Sequence, residues 1–185
     1  RRPPRSTLFP YTTLFRACLP DMEEKKITLR VRLSDNAGDL EPADKALLEK
    51  ARLTALNAYA PYSRFRVGAA IRLDNGEIIT GNNQENAAYP SGLCAERVAL
   101  FAASAQFPEA VIEAIAVSID TDNHEIIQPV SPCGACRQVL AEYEHRQERE
   151  IRVIFSGETG KTVTVDGMNN LLPMTFTANN LKKSK

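Results

Sequence analysis

The sequence predicts an α/β domain in three layers, with helices on both faces of a mixed central sheet of about five strands. Three observations carry that expectation. Residues 65–72 alternate Phe65, Val67, Ala69 and Ile71 with Arg66, Gly68, Ala70 and Arg72, and the Asn75-Gly76 pair that follows suits a tight hairpin, so residues 77–81 pair back as a second strand. Residues 111–119, VIEAIAVSI, are nearly continuous in apolar residues, the mark of a strand buried on both faces. Segments with helical spacing separate and flank these strands.

In chain order, residues 26–33 alternate Ile27, Leu29, Val31 and Leu33 with polar partners and read as a short exposed strand or extended arm without chemistry. From Glu41 the pattern becomes helical. Pro42 suits a first helical position, Leu47, Ala51, Ala55, Ala58 and Tyr59 share one face, and the helix stops before Pro61. A second helix starts near Cys94, with Val98, Phe101, Ala102 and Ala105 as its expected packing face and Pro108 as its stop. Ser131 and Pro132 are expected as N-cap and first residue of a third helix, in which Cys136, Val139, Leu140 and Tyr143 repeat helically. The charged run over residues 142–152 is its solvated end, residues 151–155 and 162–165 are two more strands, and residues 168–172 are one short helix before Pro173.

At 185 residues the chain is long enough for one domain with a sizeable core. Lys plus Arg and Asp plus Glu each total 23, so the net charge is zero, and no basic stripe is present to hold nucleic acid. Without an apolar run of membrane-spanning length, no membrane role is expected. Three of the four cysteines fall in two short stretches, unlike the even framework of a secreted disulfide domain, so a reducing cytoplasm is the expected compartment. Residues 7–16, TLFPYTTLFR, resemble the translation of a sequencing-adapter oligonucleotide, and Pro10, Arg16, Pro20 and Asp21 interrupt any signal-peptide core. Residues 1–21, with Cys18, are therefore expected to be an artefact or a disordered tail.

The chemistry concentrates in SGLCAERVALFAA, residues 91–103, and SPCGACRQVL, residues 131–140. The three-residue offset of Cys133 and Cys136 puts both sulfurs on one side of a helical turn, and Cys94 supplies a third. Glu96 follows Cys94 by two residues, near the same metal but turned away from the sulfur's direction. One tetrahedral position is left without a protein ligand, which separates catalytic from structural zinc. A metal there lowers the pKa of water from 15.7 towards ~7. Glu96 is then the expected proton carrier, and Arg97 and two helix N-termini offset the negative charge of three thiolates. His124 and His145 sit in no ligand spacing and are expected at the surface. Asn83, Glu85 and Asn86, just upstream of Cys94, suit either a turn or hydrogen bonds to a sugar.

These stretches, with APYSRFRVGAA, GNNQENAAYPSGLCAERVALF and LLPMTF, resemble the zinc-dependent cytidine deaminases of the small, homotetrameric, three-cysteine class. The resemblance covers about residues 47–176. It implies a cytidine-deaminase-like α/β/α domain over residues 45–177, after an arm at 22–44 and before a tail at 178–185. It implies one Zn²⁺ per subunit on Cys94, Cys133 and Cys136, and hydrolytic deamination of cytidine and deoxycytidine for pyrimidine salvage. Phe65 would stack on the base, Asn83 and Glu85 would bind the ribose 3′-hydroxyl, and the Ala95 backbone with the Glu96 carboxyl would read the base edge. Tyr89 and Phe176 would reach, or be reached by, a neighbouring subunit's pocket. Three alternatives are a deaminase of another aminated pyrimidine such as blasticidin S, a nucleic-acid editing deaminase, and a non-catalytic zinc-stabilised interaction domain with a fourth protein ligand.

Overall fold

The computed structural model describes residues 23–181, so the expected tail at residues 1–21 and the last four residues of the one at 178–185 lie outside the described residues. Among these residues six strands form one mixed sheet: β1 (Arg32–Ser34), β2 (Phe65–Leu73), β3 (Ile78–Asn82), β4 (Ile112–Thr121), β5 (Arg152–Ser156) and β6 (Thr162–Asp166), in the order β1-β6-β5-β4-β2-β3. All neighbours pair antiparallel except β4 and β5. Among the described residues three α-helices flank the sheet: α1 (Pro42–Ala55), α2 (Ala95–Gln106) and α3 (Gly134–Gln147). Two cores result. Leu47, Leu48 and Ala51 of α1 pack on Ala70, Ala114, Ala116 and Ile154, whereas α2 and α3 cover Ala69, Ile71, Ile115, Val117 and Val153 on the other face. Alternate residues of β2, β4 and β5 thus enter opposite cores, as their nearly unbroken apolar sequences require.

Two glycines set how closely helices approach the sheet. A Cβ at Gly68 would lie 2.1 Å from the Ala51 carbonyl oxygen of α1, and one at Gly81 would lie 2.5 Å from the Ala99 nitrogen of α2. Backbone meets backbone at both places, on opposite faces.

The mixed sheet expected with about five strands has six among the described residues, β1 adding to the β6 edge. Several expectations of detail change. Of the strand expected over residues 26–33 only Arg32 and Leu33 fall in β1, which runs on to Ser34, and the Arg30 N–H donates to the Asn170 side-chain oxygen at 2.8 Å instead of to a ladder. Ile27, Leu29, Val31 and Leu33 are all exposed. α1 stops at Ala55, well before Pro61, and Tyr59 instead bridges to Gln84. The packing face of α2 is Ala95, Ala99, Leu100 and Ala103, not Val98, Phe101, Ala102 and Ala105. Small residues are needed where the helix backbone rides on Gly81, and this puts Phe101 outside. α3 begins at Gly134 with Cys133 as its N-cap, so Ser131 is not the cap.

Candidate active site

The parallel pair β4 and β5, joined through α3, opens a crevice beyond its carboxyl ends, the usual place for a ligand in such a sheet. Glu158 holds the connecting loop: its Oε1 accepts the Thr121 N–H at 2.7 Å and its Oε2 the Ile126 N–H at 2.8 Å. That loop delivers Cys133 to the first turn of α3, while the chain after β3 delivers Cys94 to the first turn of α2.

Both cysteines are N-caps with extended backbones, Cys94 at φ −72, ψ 152 and Cys133 at φ −67, ψ 166, and neither side chain makes a capping hydrogen bond to its helix backbone. Their sulfurs are free to face each other. Cys94 Sγ lies 3.9 Å from Cys133 Sγ, Cys133 Sγ lies 3.4 Å from Cys136 Sγ, and all three fall within 4.8 Å of one another. Zinc bonds to sulfur of about 2.3 Å in a tetrahedron place sulfurs about 3.8 Å apart, so the trio fits zinc. Cys136 is buried, Cys94 half-buried and Cys133 exposed, leaving one side of the cluster open. Among the described residues this is the group of His, Cys, Asp and Glu gathered for a metal; His124 and His145 are exposed and stand apart from it.

The electrostatics suit a cation. A hydrogen bond from Cys136, assisted by Arg97, lowers the Cys94 thiol to a pKa of about 5 against the cost of its burial. Cys136 moves the other way, since it donates to Cys94 and is buried. Zinc binding therefore has a proton to displace from this pair. Arg97 Nη2 reaches Cys94 Sγ at 3.7 Å. Glu96, second residue of α2, is 4 % exposed, and burial raises its pKa above the usual carboxylate range.

A cavity of about 640 Å³ opens over the cluster and is lined by Phe65, Asn83, Glu85, Tyr89, Glu96 and Arg97, together with Cys94 and Cys133. Its size suits a ligand of nucleoside scale. Glu85 Oε2 accepts the N–H groups of Tyr62 at 2.9 Å and Ser63 at 3.2 Å; bonds from Ser63 and then Tyr62 keep its carboxyl below the ordinary range. Asn83 Oδ1 accepts the Val67 N–H at 2.7 Å and its Nδ2 donates to the Phe65 carbonyl at 2.9 Å, so the amide ties two wall strands together. Tyr89 meets Tyr62 edge-on at a centroid distance of 6.3 Å. Two expected residues do not line this cavity with their side chains: Ala95, expected to contribute through its backbone, turns its methyl into the core, and Phe176, expected at a neighbouring subunit's pocket, is 58 % exposed. Sequence reasoning missed Tyr62 and Ser63, which brace Glu85 through backbone N–H groups that no residue type advertises.

Residues 41–149 match the model of the cytidine and deoxycytidylate deaminase zinc-binding region. The chain belongs to this family. A cytidine deaminase of Halalkalibacterium halodurans is 41% identical over 139 residues, covering 75% of this chain and 98% of that protein. The crystal structure of cytidine deaminase from Burkholderia pseudomallei, 40% identical, superposes with a TM-score of 0.61 over 71% of this chain and 97% of its own. A more distant relative is the blasticidin-S deaminase of Bacillus cereus, 29% identical over 119 residues, or 63% of this chain and 81% of that one. The family binds zinc, and in this chain Cys94, Cys133 and Cys136 are positioned to hold it.

Proposed function

We propose that this deaminase converts cytidine and deoxycytidine, with water, to uridine and deoxyuridine plus ammonia. The observation that carries the reading is a buried carboxylate, Glu96, beside a three-sulfur cluster at the floor of the cavity. Zinc held by Cys94, Cys133 and Cys136 supplies the Lewis acidity that makes water nucleophilic near neutral pH. Glu96 takes one proton from the attacking water and passes it to the ring nitrogen beside the amine-bearing carbon, then takes the second from the hydroxyl now on that carbon and gives it to the amine, which leaves as ammonia as the carbonyl forms. Its raised pKa suits a group that must both accept and return a proton. Phe65 stacks on the pyrimidine, the Ala95 backbone and Glu96 read the base edge, and Asn83 and Glu85 bind the sugar.

The lining chemistry favours a nucleoside over its monophosphate. Among the described lining residues Arg97 is the one cation, and it is directed at Cys94, while Glu85 would repel a phosphate. Pyrimidine salvage in the cytoplasm is the corresponding role. The exposed Tyr89 and Phe176 suit a homotetramer in which neighbouring subunits complete each other's pockets; light scattering tests the assembly.

The deciding experiment follows the fall in cytidine absorbance with zinc-loaded protein, with and without a chelator. Turnover abolished by the chelator and restored by zinc is expected; no turnover by the zinc-loaded protein overturns the proposal. Including blasticidin S and deoxycytidylate in the same panel separates the competing substrates.

A further inference from the structure

Arg137 follows Cys136 directly and spends its side chain on neutral oxygens from two segments, the entry to its own helix and a stretch 34 residues further on. Nε donates to the Pro132 carbonyl at 2.8 Å, Nη2 to the Ser131 hydroxyl at 2.8 Å, and Nη1 to the Leu171 carbonyl at 3.0 Å. The next residue continues the link, since Gln138 Nε2 donates to the Phe176 carbonyl at 2.7 Å. Among the described residues no acid lies within ion-pair distance of Arg137, so its role is not charge neutralisation by a carboxylate.

The consequence lies at Cys133. This residue caps α3 without a side-chain cap bond, and its sulfur direction depends on how the two preceding residues enter the helix. Both of those residues are held by one guanidinium, whose planar fork offers donors in fixed directions. Its remaining contact grips Leu171, from which the chain runs on to Phe176. The first turn of α3 therefore has a rigid clamp whose far end is the segment after β6.

We propose that Arg137 is a positioning residue that sets the direction of the Cys133 sulfur and couples it to the seating of the Leu171-to-Phe176 segment. It does not touch substrate; it acts through the Ser131-Pro132 entry to the metal site. The inference rests on zinc binding at the three cysteines, and on the proposed deaminase reading only for its kinetic readout.

The test is Arg137→Lys, which keeps the charge but replaces a three-way fork with a single point donor. Zinc affinity is measured by competition with a chromogenic chelator, and ligand geometry by the thiolate-to-metal and ligand-field absorption bands of the cobalt-substituted protein. Residues that orient metal ligands typically change affinity by about 10–100-fold. We expect Arg137→Lys to lose at least about tenfold in zinc affinity with altered cobalt bands, and to lower kcat more than it raises KM. Ser131→Ala, which removes a single acceptor, should shift affinity the same way by a smaller factor, and it decides the matter if Arg137→Lys does not fold. Zinc affinity and cobalt bands unchanged from the parent protein in the folded Arg137→Lys variant, or in Ser131→Ala where that variant alone is available, overturn the proposal. Because these readouts need no substrate, a parent protein that binds zinc normally yet leaves cytidine untouched counts against the proposed activity and not against the clamp.

Discussion

Asp44 and Glu96 occupy the same local position and have opposite surroundings. Each is an acid in the first turn of a helix that packs on the central sheet, and they are 3 % and 4 % exposed. Asp44 faces cations: Arg72 at 3.2 Å and Arg152 at 3.0 Å, in a network that runs on through Asp166 to Arg32 and ties β1, β2, β5 and β6 to α1. Glu96 faces sulfurs and a cavity, and its carboxyl is pushed up rather than neutralised by a matched partner. A buried acid whose charge is answered on both oxygens is structural. One left beside a metal-ligating cluster, with room for a ligand in front of it, is chemical.

Substitutions should separate the two roles. Glu96→Gln keeps the size and the three sulfurs and removes the proton carrier, so kcat should fall by about 10²–10⁴-fold while zinc per chain, measured by atomic absorption, stays the same. Near-normal turnover would place the proton transfer elsewhere. Asp44→Asn should do the reverse. Removing one partner of a buried ion pair costs about 3–5 kcal/mol, and the partial exposure of Arg72 and Arg152 reduces this to about 2 kcal/mol, read as a lower Tm with kcat/KM retained well below it. A variant with unchanged Tm and lost activity would erase the distinction.

Acid should weaken the structural network at its outer acid. Burial alone would raise the Asp166 carboxyl, but hydrogen bonds from Arg152 and Arg32 outweigh it and hold the folded pKa below the ordinary value. A folded pKa below the unfolded one gives stability that is complete above the unfolded pKa and disappears as pH falls through the folded one. The stability difference between the parent protein and Asp166→Asn, measured by urea unfolding, should thus be largest near neutrality and close on acidification. A gap that widens in acid would refute the assignment.

The smallest effect concerns an acid at the wrong end of a helix. Glu148 follows α3 in the left-handed region at φ 50, where glycine is favoured and a negative charge opposes the helix dipole. Glu148→Gly should add about 0.5–1 kcal/mol of stability without changing turnover, since the residue is remote from the cavity wall. Destabilisation in thermal melts would mean that Glu148 makes a compensating contact.

Much of this was legible locally. The β2 and β4 strands, the Asn75-Gly76 turn, the three helices and the Cys133-Cys136 spacing all follow from patterns that repeat within one or two turns of chain. Phe65, Asn83, Glu85, Tyr89, Glu96 and Arg97 were each expected at a site, and the structure brings them round one cavity. What failed involved partners far away in sequence. The packing face of α2 follows from Gly81 rather than from the helix's own largest residues, so Phe101 is exposed where periodicity put it inside. Ser131 has the chemistry of an N-cap, yet Arg137 claims its hydroxyl.

By itself the amino-acid sequence picked out the three cysteines that gather for a metal, the carboxylate beside them and the order of helices and strands, because side-chain chemistry and backbone periodicity are properties of short segments. Only the tertiary structure decided that Cys94 meets Cys133, 39 positions further along the chain, that Phe176 stays off this chain's own cavity wall, and that Arg137 clamps the metal-site turn to the segment after β6. Those outcomes depend on which surfaces the sheet buries and how closely the helices settle on it. A one-dimensional pattern constrains such long-range packing only weakly.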